Sequence, residues 1–261
     1  MNYAFFERLT KGDGIGARVV RSSVSIALGN GASQALRLAS NLALSRLLFP
    51  EAFGLMALIS VFVVGLTMLS DAGTGPSIMR HERGDDPRFL DTAWTIQVVR
   101  GVFLWLLTIA IAHPVARFYD EPLLAQLLPV AGISLLINGL TPTRNEVYHR
   151  HLKVTRVTLL DLGAQAVSTA AMILLAWWLA SVWALVFAMI LGAATRVVVL
   201  HVCLDGHVDR FRINREDAAE LVKFGRWIFL SSIAGFLVFQ GDKAILGAYL
   251  SVAALGIYNI G

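Results

Sequence analysis

The chain alternates long apolar runs with short polar segments, and this pattern predicts its helices. A helix needs about 20 mostly apolar residues to cross the hydrocarbon core of a bilayer. Prolines stand at or near the ends of several runs, where a helix tolerates them. The predicted spans are 22–48, 53–71, 90–112, 123–142, 155–179, 181–204 and 224–250, with an eighth that opens at about 255.

The composition excludes a soluble globular protein. Hydrophobic residues make up 56% of the 261 residues and charged residues only 15%, whereas a soluble domain is about a quarter charged. The excess apolar surface must face lipid, so the predicted class is an all-α polytopic membrane protein. A net charge of +4 does not indicate a nucleic-acid partner, because the basic residues form short clusters between apolar runs. The single Cys203 excludes an intramolecular disulfide.

The basic residues also predict the orientation in the membrane. They precede span one and occupy the segments between spans two and three, four and five, and six and seven. The other loops hold only Arg46 and Arg117. Since cytoplasmic loops are rich in Lys and Arg, we expect a cytoplasmic N-terminus and a multi-pass protein of the bacterial cytoplasmic (inner) membrane.

Two stretches of the chain, 46–55 and 248–257, match at an offset of 202 residues. Each reads as a helix end, a short turn and a glycine that opens the next helix, with Gly54 aligned on Gly256. The match predicts a duplicated six-helix unit. The expected organisation is a cytoplasmic N-terminal segment (1–21), a first six-helix transmembrane lobe (22–208), and a linker with the first one or two helices of an incomplete, repeat-related second lobe (209–261).

Span one carries a polar face. Asn30, Gln34, Arg37 and Asn41 are spaced by four, three and four residues, so they share one side of a helix. Small residues recur every fourth position from Ala27 to Ala43 and predict a second face that packs closely on another helix. Span one is therefore expected to line a cavity on one side.

Two arginines, Arg37 and Arg100, lie near the middle of spans one and three. Because a mid-membrane arginine is costly, it normally faces protein or water, and its guanidinium matches phosphate oxygens. The alternative is a buried arginine that only orients helices. Lys243 in span seven is a further candidate for the cavity lining, with a position at the outer interface as the alternative.

Acidic residues in or near the spans are candidates for ion coupling. Asp161 lies within span five, and Asp71 ends span two, where a turn or capping role is also expected. Arg196 in span six is expected to extend toward the headgroups instead. The histidines of the basic loops, including His207, have no Cys or carboxylate partners in the sequence that would indicate zinc. No cofactor, metal site or catalytic residue is predicted.

Several motifs resemble the bacterial polysaccharide-export flippases of the multidrug/oligosaccharidyl-lipid/polysaccharide exporter superfamily. The matching segments are Leu44–Leu55 (LSRLLFPEAFGL), Ser70–Gly73 (SDAG), Phe224–Trp227 (FGRW), Asp242–Gly247 (DKAILG) and Leu255–Asn259 (LGIYN). The resemblance implies two six-helix lobes around a central cavity. It also implies translocation of undecaprenyl-pyrophosphate-linked oligosaccharide for surface polysaccharide biosynthesis, such as lipopolysaccharide or exopolysaccharide.

The resulting expectation is a secondary-type transporter and not an enzyme, acting by alternating access around a cationic cavity. Its partners would be the lipid-linked oligosaccharide, membrane lipids, and the polymerase and glycosyltransferases of the same pathway. Two alternatives stay open, a multidrug or peptidoglycan-precursor exporter of the same superfamily and an integral-membrane glycosyltransferase.

Overall fold

The computed structural model describes the backbone of residues 15–70 and 73–260, and side chains within it except at 15–21, 226–227, 229–230 and 259–260. All regular structure in this part of the chain is helical. The helices are α1 (Ile15–Leu47), α2 (Pro50–Leu69), α3 (Thr74–Arg80), α4 (Pro87–Phe118), α5 (Leu124–Gly139), α6 (Arg144–Arg150), α7 (Val154–Leu179), α8 (Val182–Cys203), α9 (Arg215–Tyr249) and α10 (Val252–Ile260).

Four of these helices, α2, α4, α7 and α8, are long and apolar enough to cross a membrane. The helices α5 and α6 meet the same condition as a pair that bends by 58° at a short break. The longer helices α1 and α9 are more polar and fall outside this set. The fold is therefore that of an all-α polytopic membrane protein, as the apolar runs predict.

Local chemistry sets most helix boundaries. Pro50 and Pro87 occupy first-turn positions of α2 and α4, where a missing N–H costs nothing. Asp86 caps α4 by accepting a hydrogen bond from the Arg88 amide at 2.9 Å. Ala180 ends α7 in the left-handed conformation. Pro114 does not end its helix as the apolar run suggests, because α4 continues to Phe118.

The main packing pairs are α4 with α5, α7 with α8, α2 with α10, and α1 with α7. The largest buried cluster joins α2, α5 and α8 through side chains such as Leu58, Leu127 and Leu185. The helices α9 and α10 pack mainly against α2. The helix α2 thus lies between the first bundle and the start of the second repeat.

The helix boundaries reproduce the offset of the internal repeat. The helices α1 and α9 end at Leu47 and Tyr249, and α2 and α10 begin at Pro50 and Val252, each pair 202 residues apart. A Cβ on Gly54 would overlap the backbone of Val252, and one on Gly256 would overlap the backbone of Pro50. This reciprocal contact is what two copies related by a two-fold axis produce. It supports the duplication. The domain limits stay a prediction, and residues 1–14 lie outside the described part of the chain.

The basic segments gather at one end of the bundle, which we call the basic end (residues 74–91, 143–157 and 204–223). Acidic partners hold the segments together. The ion pairs are Arg83–Asp217, Arg83–Glu220, His81–Glu220, Arg150–Asp85, His151–Asp85, Arg156–Asp205 and His207–Asp91. The loops that the charge pattern assigns to one side of the membrane therefore meet in space.

Candidate functional site

A cavity of about 780 Å³ lies among α1, α2, α5, α7 and α8, and we call it the polar cavity. Apolar side chains such as Phe53, Met172 and Leu185 form part of its wall. Six charged or amide side chains also line it, namely Arg37, Asn41, Asn138, Asp161, Gln165 and Arg196. Such a mixture suits a ligand that carries both charge and hydrogen-bonding groups.

The contact between α1 and α7 orients the polar face of α1. Ser33 Oγ donates a hydrogen bond to Gln165 Oε1 at 2.7 Å, and Gln165 Nε2 donates to the Ser33 carbonyl at 3.2 Å. Thr158 packs against Gly29, where a Cβ would overlap it. The close approach therefore uses the Gly29 side of α1. The predicted small-residue face is largely exposed instead, and a Cβ on Gly31 would meet nothing within 4 Å.

Arg196 and Asp161 form an ion pair inside the polar cavity. Arg196 Nε lies 2.8 Å from Asp161 Oδ1, and the side chains are 33% and 38% exposed. Arg196 therefore faces a partner in the cavity, which corrects the expectation that it extends toward the headgroups. The sequence could not show this pair, because the residues lie 35 positions apart on different helices.

Charged side chains of both signs line the polar cavity. Arg37 and Arg196 face it together with one carboxylate, that of Asp161. The Arg196 side chain is 33% exposed, and such a partly buried cation attracts an anion more strongly than the same group in water, whereas Arg37 is exposed.

The other residues that the sequence predicts for the cavity lining do not line the polar cavity in the described part of the chain. Asn30 and Gln34 are exposed on α1, nearer the basic end, and do not line the polar cavity. Arg100 also lies outside that lining, and its Nη1 donates to the Ser70 carbonyl at 3.4 Å. Lys243 is half-buried on α9, away from the cavity. Asp71 lies outside the described residues. That any of the residues predicted from the sequence contacts the substrate stays a prediction.

One cluster at the basic end has the composition of a metal site. The ligand atoms of Asp91, His207 and Asp209 lie within 4.8 Å of one another. Asp91 Oδ1 is 2.7 Å from His207 Nε2 and accepts from the Arg210 amide at 2.9 Å. His207 thus has carboxylate partners that its sequence neighbourhood does not reveal. These hydrogen bonds dock the segment after α8 onto the first turns of α4.

Two carboxyl groups of the basic end have shifted pKa values. Burial raises the pKa of Asp209, although hydrogen bonds from Thr143 act in the opposite direction. The hydrogen bond from His81, supported by Arg83, lowers the pKa of Glu220. Glu220 belongs to α9, whereas His81 and Arg83 follow α3. These contacts tie the start of the second repeat to the first bundle.

Comparison with known proteins assigns the chain to a family. Residues 43–261 match the family described as polysaccharide biosynthesis protein. The chain belongs to that family. It is 22% identical over 221 residues to the succinoglycan biosynthesis transport protein ExoT of Rhizobium meliloti (strain 1021), and the match covers 83% of this chain and 43% of ExoT. The chain thus spans less than half the length of that relative.

A solved structure shares the fold of this family member. It is a MOP superfamily transporter from Pyrococcus furiosus Vc1 (DSM3638), described by the reverse polarity of its binding pocket. The TM-score is 0.53 at 17% sequence identity, and the match covers 97% of this chain and 64% of the other. This structure shows a shared fold, while the family match and the similarity to ExoT confirm the resemblance to polysaccharide biosynthesis proteins that the sequence motifs indicate.

Proposed function

We propose that this chain is part of a transporter that moves an undecaprenyl-pyrophosphate-linked oligosaccharide across the bacterial cytoplasmic membrane for surface polysaccharide biosynthesis. The observation that carries the proposal is the polar cavity, with Arg37 and Arg196 set against the single carboxylate of Asp161. Family membership and the similarity to ExoT, a transport protein of succinoglycan biosynthesis, support the polysaccharide pathway.

The lining of the cavity suits the polar part of such a substrate. Guanidinium groups bind phosphate oxygens bidentately, so Arg37 and Arg196 are the groups we assign to the pyrophosphate. The amides of Asn41, Asn138 and Gln165 can donate to and accept from sugar hydroxyls. The polyprenyl tail stays in lipid, where its burial costs nothing. The protein then has to shelter only the charged and sugar groups.

The Asp161–Arg196 pair gives the cavity an internal counter-ion. In the absence of substrate, Asp161 neutralises Arg196 at 2.8 Å. An entering pyrophosphate competes with Asp161 for the guanidinium, and its release lets the pair form again. Asp161 stays the candidate for ion coupling, because it is a carboxylate on a membrane-spanning helix that faces the polar cavity.

The transport cycle that we propose is alternating access of a secondary-type transporter. The first bundle would rock against the second repeat, with α2 and α10 as the contact. The polar cavity, which α2 also lines, would open in turn to each side of the membrane. The basic end would face the cytoplasm, in keeping with the positive-inside rule. Pairing of Arg83 with Asp217 and Glu220 would then hold the two repeats together on that side.

Deletion of the gene in its host tests the proposal against a glycosyltransferase. Loss of a flippase leaves the lipid-linked repeat unit complete but confined to the inner leaflet. Loss of a transferase leaves the glycan one sugar short. Mass spectrometry of the extracted lipid-linked saccharides distinguishes the two, and a shortened glycan would refute transport. A complete glycan that still reaches the outer leaflet would refute both the flippase and the glycosyltransferase. It would favour an exporter of drugs or peptidoglycan precursors.

A further inference from the structure

A second cavity, of about 640 Å³, opens at the basic end between the end of α6, the start of α7 and the residues after α8. It shares no lining residue with the polar cavity. Three basic side chains line it, His151, Lys153 and Arg156, together with the carboxylate of Asp205. We propose that this cavity, the basic pocket, binds the phosphate headgroup of an anionic phospholipid.

A tight turn places the basic side chains of the pocket. Leu152 adopts a positive φ of 55°, which brings His151 and Lys153 to the same opening. Ser22 Oγ on α1 donates to the Leu152 carbonyl at 2.8 Å, and the Lys153 amide donates to the Tyr148 carbonyl at 2.9 Å. The Lys153 ammonium lies 5.9 Å from the centre of the Tyr148 ring. The turn is therefore fixed from both sides.

The charge of the pocket is available to a ligand. Arg156 Nη1 lies 2.7 Å from Asp205 Oδ2, but the side chains are 50% and 82% exposed. Because solvent screens such an exposed pair, it contributes little and a phosphate can displace Asp205. The adjacent α7 begins without a side-chain cap, and its first N–H groups add to the attraction for an anion.

Apolar side chains continue the pocket toward the middle of the bundle. Leu159 lies one helical turn beyond Thr155, and Val202 lies in the last turn of α8, three residues before Asp205. Both Thr155 and Asp205 line the pocket. Leu159 is 64% exposed and Val202 is 77% exposed. A phosphate with acyl chains can occupy the pocket and cover this strip, whereas a free phosphate covers only the pocket. This combination points to a lipid, as basic pockets beside membrane helices generally do.

Binding of phosphatidylglycerol to the purified chain in detergent, measured by native mass spectrometry against phosphatidylcholine, tests the proposal. We expect the wild-type chain to prefer phosphatidylglycerol, and the Lys153→Ala/Arg156→Ala variant to bind it roughly thirtyfold more weakly because two near-surface charges are lost. Asp205→Asn should strengthen binding, since it removes the competing carboxylate. Arg156→Lys keeps the charge and should retain most of the affinity.

The matched control is Arg212→Ala, which removes one exposed cation from the basic end outside the pocket. It should bind phosphatidylglycerol like the wild-type chain. If Arg212→Ala and Arg156→Ala weaken phosphatidylglycerol binding equally, the lipid is attracted by the overall positive charge, and the proposal of a defined site is overturned. Displacement of the lipid by an equal concentration of inorganic phosphate would also overturn it in favour of a free-anion site. The assay involves no transport, so its outcome is independent of the proposed function.

Discussion

The charged side chains of the polar cavity determine which ligand it can hold. Arg37 has no acidic residue beside it in the lining, whereas Arg196 is paired with Asp161. Arg37 is therefore the cation that an incoming pyrophosphate would meet without competition. Asn41, one turn further along α1, lines the cavity with it.

Arg37→Ala should reduce polysaccharide export while the protein is still made and inserted. A charge-assisted hydrogen bond contributes about 1.5–3 kcal/mol, so we expect at least a tenfold loss of transport. Arg46→Ala is the matched control, because Arg46 is exposed near the end of the same helix and does not line the cavity. Export assays in complemented deletion cells measure both. Equal export by Arg37→Ala and wild-type cells would contradict the assignment of Arg37.

The Asp161–Arg196 pair should show coupling in a double-mutant cycle. Asp161→Asn and Arg196→Gln should each lower the melting temperature, since each leaves an uncompensated partner. The double variant should lose less than the two single losses combined, with a coupling energy of roughly 1 kcal/mol because both side chains are about a third exposed. Thermal unfolding in detergent measures the cycle. Strictly additive losses would mean that the ion pair does not contribute to stability.

The sequence predicts part of this site for a clear physical reason. Helical spacing places Arg37 and Asn41 on one face, and both line the cavity. Spacing along one helix does not tell which turns of that face the cavity reaches, so Asn30 and Gln34 were included as well. Partners on different helices, such as Asp161 and Arg196, depend on packing that no local pattern encodes.

Among the secondary-structure elements, α2 and α10 make the contact that relates the two repeats. Gly54 and Gly256 allow the two backbones to approach each other there. The apolar runs predict the long helices, because lipid demands about the same length of each span. The short helices α3 and α6 were missed, since both are only seven residues long and lie among charged loop residues.

Gly54→Ala should destabilise the chain, because the added methyl group would overlap the backbone carbonyl of Val252. The backbone cannot move aside as a flexible side chain does, so we expect the free energy of unfolding to fall by about 1–3 kcal/mol. Gly163→Ala is the control, since a Cβ there meets nothing within 4 Å. It should leave stability unchanged or raise it by up to about 1 kcal/mol through helix propensity. Similar melting temperatures for Gly54→Ala and Gly163→Ala would contradict the close contact.

The contact of Glu220 with His81 and Arg83 should make stability depend on pH. The pKa of Glu220 lies below its ordinary value of 4.5 in the folded chain, chiefly because of the hydrogen bond from His81. Its stabilising contribution is therefore complete above pH 4.5 and is lost as the pH falls through the folded pKa. The melting temperature should fall with pH more steeply in the wild-type chain than in Glu220→Gln. If the melting temperatures of the wild-type chain and Glu220→Gln depend on pH in the same way, Glu220 does not contribute to stability through this contact.

For the molecule as a whole, the basic end and the opposite short turns should lie on different sides of the membrane. The positive-inside rule predicts that the basic end faces the cytoplasm. In a Cys203→Ser background, Ser181→Cys at the turn between α7 and α8 should react with a membrane-impermeant thiol reagent in intact cells. Arg210→Cys at the basic end should react only after permeabilisation. The reverse pattern would invert the orientation.

We propose that the chain is part of a transporter that moves a lipid-linked oligosaccharide through the polar cavity. The most direct test measures the leaflet distribution of that lipid in cells that carry wild-type, Arg37→Ala or Arg46→Ala protein, using an external probe of the glycan. We expect a complete glycan that reaches the outer leaflet with wild-type and Arg46→Ala protein and remains inside with Arg37→Ala. A glycan that reaches the outer leaflet equally in all three, and in cells without the gene, would contradict it.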